Sequence, residues 1–498
     1  IIDGRALVGG QLVYIESWYD DRKFITMTIV VASHQVEEIT AVYANDRQIA
    51  SARASGNGPM PAVIDGKYNT GPGDGIHAFC WSADGTQTSW IAPTLTPGGA
   101  TRNPPNWTPS HILRGQAYVH VAFWYDEDRF DAGLPKIKVE LKGKSDIYDP
   151  RSMTTGYTAN QALCVLDAIR WDRMMNVPDS DIDMDAFASA ADIADEIVTA
   201  GPGLSQRRYT VNGSIPVDRT PLDVVLSLSA AGAGIAIYAQ GKWTYSPGAY
   251  TAPVMTLDES DLIGGLKFQP GPPKQSRHNK ATGTYIDGPQ GFEELEFPPL
   301  VIQSYIDQDL EEIEKVYSFP FTDTAAMCRR LAKIDIERNR YGVTVQLTAK
   351  FKALQLTPGD RIALNNEKNG WSGKVFRVED IEFSFDTGVG LTLREDSPDI
   401  YDWEEGDVVT IDTPPTLQIP DGLTVTAPTG LTVGEELYQT ITRSAIKVRM
   451  LISWNGDEDG AISAYDIQFR KTGATEWINA ATFWQANEIE IDDVDDEP

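Results

Sequence analysis

Short runs of β-branched and aromatic residues, closed by glycine- and proline-containing turns, recur through the first 150 residues. They cover positions 24–31, 117–125 and 136–141. Side chains of these types fit a pleated, half-buried surface and are typical of strands. The sequence therefore predicts a β-rich domain over residues 1–150, with long proline- and glycine-containing loops between its strands.

One of these loops, residues 96–109, is unusually rich in backbone breakers. It contains Pro97, Gly98, Gly99, Pro104, Pro105 and Pro109. Proline lacks the backbone N–H that a helix interior or a central strand needs. We expect either an exposed functional loop or an arm that packs on a neighbouring chain.

The pattern changes after residue 150, and residues 151–260 are predicted to form an α+β domain. Two apolar stripes have the spacing of one helix face: Ala162, Val165, Leu166 and Ile169, then Ala190, Ile193, Ala194 and Ile197. Thr220 and Pro221 have the preferences of an N-cap and of a first helical position. Residues 235–238 and 243–245 flank Gln240 and Gly241, which predicts a hairpin.

Residues 261–398 read as a β-barrel-like domain with a flanking helix. The helix is predicted over 323–340, where Met327, Leu331 and Ile334 share one face. Strand patterns at 343–351, 361–364 and 373–378 surround a turn at 356–360. The acidic, proline-rich residues 399–420 are expected to form a linker, and 421–498 to form a small sandwich. The predicted fold class is mainly β with an α+β part, a multidomain protein of barrel and sandwich domains with inserted helices.

The charge balance restricts the partners. The chain has 498 residues, and 72 Asp and Glu against 42 Lys and Arg give a net charge of −30. Sequence-independent nucleic-acid binding requires clustered cations, so it is disfavoured as the main activity. Anionic membrane surfaces are disfavoured for the same reason.

Cysteine usage and apolar runs are equally restrictive. Cys80, Cys164 and Cys328 are widely spaced and odd in number, which predicts buried thiols and no disulfide framework or zinc site. No apolar run reaches the length of a membrane-spanning helix, and the first residues lack the pattern of a signal peptide. The chain opens at Ile1 without a methionine, so we expect residues upstream.

Signatures of catalysis are few. The five histidines form no H-E-x-x-H motif, and no G-x-S-x-G elbow or phosphate-binding glycine pattern occurs. Asp179, Asp181 and Asp183 begin like a calcium loop, but Met184 stands where the loop needs glycine and Ala190 where it needs glutamate. We interpret Asp183 or Asp185 as a helix cap. The sequence assigns no catalytic, cofactor-binding or metal-binding residue, and no cofactor.

Two acidic runs and several tryptophans remain as candidate sites. The runs at 311–314 and 492–497 contain neighbouring acids, whereas glycosidase carboxylates face each other across a cleft, so solvated faces are the simpler interpretation. Asn106 lies in a glycosylation sequon, but no secretion signal accompanies it. Four tryptophans offer surfaces for sugar stacking, although large aromatics more often serve as core or interface anchors: Trp107, Trp124, Trp171 and Trp403.

A family resemblance rests on motifs distributed over most of residues 1–400. In chain order they are VGG (8–10), KFITMTIVV (23–31), HQVEEI (34–39), GLPKI (133–137), VELKG (139–143), IYDPR (147–151), NQALCVL (160–166), RHNK (277–280), LTPGDRI (356–362) and LRED (393–396). Their order resembles that of the central tail-tip, or host-specificity, proteins of siphophages, called protein J in lambda-like phages, with relatives in gene-transfer-agent tails. Residues 421–498 resemble a fibronectin type III domain that is incomplete, which predicts further residues downstream.

The resemblance implies a structural role in a virion. In that family a homotrimeric hub closes the tail tube beneath the ring of distal tail proteins, beside other tail-tip proteins and the tape measure protein. Downstream domains lead to the central fibre and the host receptor, and DNA passes through the channel during ejection. The resemblance transfers no catalytic residue and places the chain at the tail tip of a virion assembled in the host cytoplasm.

Two other functions stay open at the level of sequence. A receptor-binding adhesin would use the fibronectin-like end, and a cell-wall hydrolase would require opposed carboxylates or a metal site. The charge of −30 adds a hypothesis about the hub itself: acidic residues that line the lumen would repel the exiting DNA.

Overall fold

The structure is a computed structural model that describes most of the chain. The described residues are 1–19, 23–54, 56–71, 75–95, 102–127, 129–130, 133–216, 218–409, 427–439, 446–456 and 464–492. The chain divides into two compact units, Ile1–Thr413 and Pro414–Pro498. Strands hold 44% of the described residues and helices 18%, which confirms the predicted mainly β class with an α+β part.

The first part of unit 1 is a β-sandwich. Its strands are β1 (Ile2–Asp3), β2 (Arg5–Val8), β3 (Gln11–Trp18), β4 (Phe24–Ala32), β5 (Val36–Ala44), β6 (Arg47–Ser51), β7 (Gly58–Pro59), β8 (Ala78–Asp84), β9 (Ala117–Trp124) and β10 (Ile137–Lys144). One sheet has the order β2-β10-β5-β6 and the other the order β3-β4-β9-β8-β7. Both sheets contribute to one core, in which Val42, Val121 and Val139 are completely buried. Alternate residues of β10 are buried, as expected for a sheet with one face on a core.

The proline-rich arm packs on its own chain. Trp107 is 3% exposed, lies against Tyr14 of β3 at a ring distance of 5.1 Å, and stacks on His111 at 4.9 Å. The side-chain amide of Asn106 donates to Glu16 at 2.5 Å. Most of residues 102–109 are exposed, and Trp107 anchors them in an apolar site on the outer face of the five-stranded sheet. The two predicted alternatives, an exposed functional loop or an arm that packs on a neighbouring chain, both stay predictions. Residues 96–101 of the predicted loop lie outside the described residues.

Three helices and three small sheets follow the sandwich. The elements are β11 (Ile147–Asp149), β12 (Thr154–Gly156), α1 (Gln161–Arg170), α2 (Met184–Asp195), β13 (Ile197–Gly201), β14 (Leu204–Arg207), β15 (Gly213–Ser214), α3 (Pro221–Ala230), β16 (Ile235–Ala239) and β17 (Lys242–Ser246). The stripe of α1 is fully buried against α2 and α3. Thr220 caps α3, as predicted, and Gln240 and Gly241 with φ of 52° and 82° close the predicted hairpin β16–β17. The predicted stripe of α2 is wrong at Ile197, because the helix ends at Asp195 and Ile197 begins β13, 68% exposed.

The remainder of unit 1 contains two sheets and a long helix. The elements are β18 (Met255–Leu257), β19 (Lys267–Gln269), β20 (Lys280–Asp287), β21 (Glu293–Glu296), β22 (Leu300–Val301), α4 (Gln303–Asp309), β23 (Glu314–Phe319), α5 (Ala325–Arg340), β24 (Thr344–Ala349), β25 (Arg361–Asn366), β26 (Trp371–Ser384) and β27 (Gly388–Glu395). The larger sheet has the order β18-β25-β26-β27-β24-β19, and in the smaller sheet β20 pairs with β21, β22 and β23. The predicted barrel-like closure is not observed in the described residues, since β18 and β19 stay at opposite edges of the larger sheet.

Helix α5 lies between two layers. Ala332 and Ile336 pack on the β20 sheet, whereas Met327, Leu331 and Ile334 pack with Ala194, Tyr209 and Tyr401 on the other side. The predicted helix is confirmed, and both of its faces are buried. Its flank carries residues 398–409, at the start of the predicted linker, where Ile400 is completely buried. Residues 410–426 lie outside the described residues.

Unit 2 contains two small sheets. The strands are β28 (Thr429–Gln439), β29 (Ile446–Asn455), β30 (Tyr465–Phe469), β31 (Ile478–Trp484) and β32 (Glu488–Asp492). β28, β29 and β32 form one sheet and β30 and β31 the other. Ile452, Trp454 and Ile489 form the small buried core. The fibronectin type III resemblance and the borders at 150, 260, 398 and 420 stay predictions, and residues 421–426, where the predicted sandwich begins, lie outside the described residues.

Candidate interaction surfaces

The segment that begins like a calcium loop serves in helix capping and ion pairing. The Asp183 carboxylate accepts the backbone N–H of Ala186 at 3.1 Å and caps α2, which confirms the predicted cap. The Arg170 guanidinium donates to Asp179 at 2.7 Å, and this hydrogen bond lowers the pKa of the Asp179 carboxyl. The carboxylates are thus committed to separate local partners.

The other acidic runs form ion pairs at the surface. Glu312 lies 2.7 Å from the Nζ of Lys280, and Glu311 lies 3.3 Å from that of Lys274. In unit 2, Asp492 lies 2.6 Å from Arg449, and residues 493–497 are outside the described residues. A pair of opposed carboxylates across a cleft, as a glycosidase requires, is not formed by the described acids of these runs.

Two buried histidines, His34 and His120, have packing roles. The backbone N–H of Ile2 donates to Nε2 of His34 at 3.0 Å, and burial lowers the pKa of His34 to about 4. His120 lies beside the ring of Trp107, with its Nδ1 2.8 Å from the hydroxyl of Thr28, and burial lowers the pKa of His120 to about 3. Both rings are therefore neutral near pH 7 and act as polar parts of the core.

The described ranges lack features of metal binding and of membrane crossing. No three His, Cys, Asp or Glu side chains in these ranges converge in a way that could hold a metal ion. Cys80, Cys164 and Cys328 are buried, as predicted, and burial raises the pKa of each thiol. No helix within the same ranges combines the length and the apolar character that crossing a membrane requires.

A buried polar network holds the segment 396–408, here called the strap. Arg361, the first residue of β25, donates to the Asp396 carboxylate at 2.7 Å and to the Tyr401 hydroxyl at 3.0 Å. The side chains of Arg361 and Asp396 are only 2% and 3% exposed. The beginning of the strap is thereby fixed to the six-stranded sheet.

The basic side chains of α5 hold the rest of the strap. Arg329 donates to the backbone carbonyl of Asp407, and the Lys333 ammonium lies 2.7 Å from the Asp407 carboxylate. Arg330 is completely buried, with its guanidinium 5.7 Å from the ring of Trp403. Three cationic side chains of α5 therefore hold the strap: Arg329 through a backbone carbonyl, Lys333 through a carboxylate and Arg330 through the ring of Trp403.

An exposed aromatic group lies beside the turn between β26 and β27. We call it the hairpin tip, and it consists of Phe351, Phe383 and Phe385, with Ile263 beside Gly388 at the start of β27. The three phenylalanines are 56%, 42% and 85% exposed, and their rings are joined through Phe383, at 6.1 Å from Phe351 and 4.7 Å from Phe385. Isolated exposed apolar residues are ordinary, but a contiguous group of this kind marks an interaction surface.

The hairpin tip is shaped by a glycine. Gly388 has φ of 101°, and a Cβ atom at this position would lie 2.8 Å from Cδ1 of Ile263 and 2.7 Å from the carbonyl oxygen of Ala349. Because only glycine fits this position, the start of β27 can lie directly on Ile263. The sequence reasoning did not identify the hairpin tip, although the alternation of Ile381, Phe383 and Phe385 in I-E-F-S-F signals one apolar face.

Two further apolar surfaces lie on unit 1. Leu12 and Ile15 of β3 point towards the sandwich core but are 49% and 50% exposed, because β3 is the edge of its sheet. On α3, Leu222 and Leu226 are 50% and 51% exposed. The C-terminal end of α3 borders an apolar crevice of about 200 Å³ whose other wall is residues 318–322. An apolar helix face without cover is typical of an interface.

Unit 2 has an apolar groove of its own, about 360 Å³ in volume. Its lining includes Leu431 and Val433 of β28, Trp454 of β29 and Tyr465 of β30. Leu431 and Val433 are 69% and 62% exposed, and Trp454 packs edge-on against Tyr465 at 5.1 Å. The groove lies between the two sheets of unit 2.

Part of unit 1 matches a known family. Residues 220–381, about a third of the chain, match the family model described as Putative phage tail protein. The match begins at the cap of α3 and ends in β26, so it includes α5 and the β20 sheet. The phage-tail part of the sequence resemblance is thus confirmed, whereas the narrower assignment to the protein J family stays a prediction.

Two kinds of relatives extend the match. The chain is 22% identical over 367 residues to the baseplate hub protein pb3 of Escherichia phage T5, covering 67% of this chain and 38% of that protein. The chain thus spans less than half the length of this relative. A chain in the virion of the native gene transfer agent particle shares 16% identity and covers 81% of this chain and 85% of its own length, with a TM-score of 0.51. This likeness shows a common fold.

A weaker likeness is found to a prophage tail protein, gp18 from Listeria monocytogenes EGD-e. It has 10% identity, covers 78% of this chain and 89% of that one, and has a TM-score of 0.26.

Proposed function

We propose that this chain is the central hub of a phage-type tail tip, a structural protein that closes the tail tube as a homotrimer. It connects the tube to the central fibre and takes part in host attachment and DNA ejection. The observation that carries the proposal is the fold shared with a gene-transfer-agent virion chain over 81% of this chain, together with the phage-tail match of residues 220–381. The baseplate hub relative points the same way.

The surfaces of unit 1 support an assembly role. The hairpin tip, the edge strand β3 and the exposed face of α3 are three separate apolar surfaces on one unit. Obligate assemblies bury several thousand Å² and rely on such surfaces. The proposed partners are two further copies of this chain, the distal tail protein ring, other tail-tip proteins and the tape measure protein, with DNA only in transit.

The proposed location is the tail tip of the virion, and the proposed role is not enzymatic. The carboxylates considered as catalytic candidates are engaged in caps and surface ion pairs. Immunogold labelling of purified particles with antibodies against unit 1 tests the location. Gold at one end of the tail supports it, and gold along the tube or on the capsid contradicts it.

Mass and symmetry in solution test the hub itself. Light scattering of the purified chain should give three times the chain mass of 54.7 kDa, and electron-microscopy class averages should show threefold symmetry about a central hole. A monomer, or a closed dimer without a hole, at concentrations well above those in an assembling tail would contradict the trimeric hub. The same particle tests the lumen hypothesis, since a strongly positive channel wall would contradict the proposed repulsion of DNA.

A receptor-binding adhesin is the second candidate, and the groove of unit 2 favours it. The half-buried ring of Tyr465 beside the groove offers a stacking surface for a glycan. Labelled full-length chain should then bind host cells, and Tyr465→Ala should abolish binding. Binding that survives this change, or that requires unit 1, would remove unit 2 as the receptor-binding part.

A further inference from the structure

Beyond its first residue, the strap is attached to the rest of unit 1 through side chains. The backbone N–H of Asp396 donates to the carbonyl of Val375, and within the described ranges no later backbone group of the strap is hydrogen-bonded to the backbone of another element. The attachments follow one another along the chain: Asp396 and Tyr401 on Arg361, then Trp403 on Arg330 and Thr199, then Asp407 on Arg329 and Lys333. A segment attached in this way can detach one contact at a time from its far end.

A cavity of about 380 Å³ separates part of the strap from α5. Lys333 is the one cation among its described lining residues, which also include five carboxylates: Glu337, Asp399, Asp402, Glu404 and Asp407. Like charges that share a cavity repel one another. The strap is therefore loosely packed on the helix at this point, and the repulsion among the carboxylates favours its release.

The strap also covers a cation that lacks a counter-charge. Arg330 is completely buried between the rings of Tyr209 and Trp403, at 5.5 and 5.7 Å, and its Nη2 donates to the backbone carbonyl of Arg208. Its Nε and Nη1 have no hydrogen-bond partner among the described residues, and none of the described carboxylates forms an ion pair with it. A buried cation in this state has an uncompensated cost of desolvation. Water would relieve that cost if Trp403 moved away.

The far end of the strap leads towards unit 2 along the chain. The strap ends at residue 408, and unit 2 begins at Pro414. A pull on unit 2 is therefore transmitted to Asp407 first and to Asp396 last. Asp396 and its partner Arg361 are only 3% and 2% exposed, and this buried pair also has the one backbone hydrogen bond of the strap to another element in the described residues. Detachment should stop at this pair.

We propose that the strap is a releasable connector, in which a pull on unit 2 detaches residues 397–408 from α5 and stops at the pair between Arg361 and Asp396. Because an extended chain spans at most roughly 3.3–3.6 Å per residue, release of these twelve residues lengthens the connection by up to about 40 Å. The release uncovers Arg329, Arg330 and Lys333 while the sheets stay folded. The inference rests on the proposed function only for the origin of the pull, which is attachment of the virion to its host.

The test stretches the full chain in optical tweezers. Ser152→Cys in unit 1 and Ala474→Cys in unit 2 provide exposed attachment points, since the three native cysteines are buried. The force and the gain in length are recorded for each step during repeated stretching and relaxation. Unfolding of a whole unit releases a far longer stretch of chain than the strap, so the two kinds of step are told apart by their length.

Two double variants separate the strap from the rest of the chain. The release variant is Trp403→Ala with Asp407→Asn, which removes the ring beside Arg330 and the carboxylate beside Lys333. The matched control makes the same chemical changes at exposed positions, Trp477→Ala with Asp46→Asn, where the side chains are 56% and 74% exposed.

The expected result has three parts. The wild type and the control show a reversible step of up to about 40 Å before either unit unfolds. In the release variant this step occurs at less than half the force or is lost, and Trp403→Phe, which keeps a ring beside Arg330, restores it. Asp396→Asn lengthens the step, because the stop is weakened. The wild-type record requires no substitution in the strap, so the test stands even if the release variant does not fold.

Three results would overturn the proposal. The first is a wild type that shows no such step below the force that unfolds either unit. The second is a step at the same force in the release variant and the control, and the third is a step of unchanged length in Asp396→Asn. Light scattering separates this inference from the hub: a monomer that shows the step would contradict the trimer alone, and a trimer without the step would contradict the strap alone.

Discussion

The buried pair between Arg361 and Asp396 gives a prediction of large magnitude. Arg361 donates to four acceptors: the Asp396 carboxylate at 2.7 Å, the Tyr401 hydroxyl at 3.0 Å, the Thr251 hydroxyl at 2.8 Å and the Ala249 carbonyl at 2.7 Å. Asp396→Asn keeps the shape of the side chain and removes the charge. It leaves a guanidinium that is 2% exposed without a counter-charge.

The cost follows from desolvation. Breaking a buried ion pair by removing one partner costs about 3–5 kcal/mol, because the remaining charge stays buried. Replacing both members with apolar residues of similar size, Arg361→Met with Asp396→Leu, should cost much less than either single change. Asp46→Asn is the matched control, since Asp46 pairs with Lys138 at 2.6 Å but is 74% exposed, and such surface pairs contribute less than about 1 kcal/mol.

Calorimetry and hydrogen exchange together measure the effect. Because the chain has two units, a single unfolding free energy is not defined for the whole, and the transition of unit 1 must be followed by itself. Asp396→Asn should lower this transition and accelerate amide exchange in β25 and the strap, with no change in unit 2. If Asp396→Asn and Asp46→Asn shift the transition equally, or if the double change is the most damaging of all, the reasoning from buried charge is refuted.

Three further predictions concern separate parts of unit 1. Burial raises the pKa of the Asp3 carboxyl to about 7, so its contribution to stability is full below about pH 4 and is lost as the pH rises through 7. Asp3→Asn should therefore raise the unfolding midpoint at pH 8, by an amount equivalent to a gain of up to about 4 kcal/mol in the free energy of unfolding. The same change should hardly shift the midpoint at pH 4, and an effect independent of pH would contradict the prediction. Gly388→Ala should destabilise the hairpin by about 2–4 kcal/mol through backbone strain and overpacking on Ile263. Gly373 also has a positive φ but has open space around it, so Gly373→Ala should show only the cost of backbone strain. Equal shifts of the thermal transition in the two variants would contradict the packing argument. Thr220→Ala should cost about 1 kcal/mol by removing the cap of α3, and Thr220→Ser should restore it in the same thermal assay.

Features with a local cause could be predicted from the sequence. The cap at Thr220 requires only a hydroxyl before Pro221, and the turn at Gln240 and Gly241 requires only residues that tolerate positive φ. Both lie where the sequence placed them. The prediction that Ile197 belongs to α2 was wrong, because an apolar period of 3.6 residues can continue in the sequence beyond the end of a helix. Glu196, which follows the last helical residue, is not a residue type that signals a helix end.

Features set by contacts distant in sequence could not be predicted. Trp107 is buried because β3 and β9 provide an outer face for it, and its own segment contains no sign of that face. The basic residues of α5 are typical of a solvated helix, yet Arg329 and Arg330 are 7% and 0% exposed. Carbonyls and rings from distant segments replace the water around them. The rings of the hairpin tip are exposed where burial would be expected. The alternating sequence pattern of β26 predicts an apolar face, but it does not show whether another layer of the structure covers that face.

The buried pair and the hairpin tip are connected through the turn that precedes β25. Asp360 accepts the backbone N–H and the hydroxyl of Thr357, and Gly359 donates to the carbonyl of Val378. This turn carries the chain away from β26 just beyond Val378, so β25 begins at Arg361, where Asp396 fixes it. The turn and the ion pair together therefore determine where β26 stops pairing with β25. The motif LTPGDRI, weak evidence of function by itself, thus has a physical role, because it ends the pairing of β26 with β25 and leaves Phe383 where β26 pairs with β27 alone among the described residues.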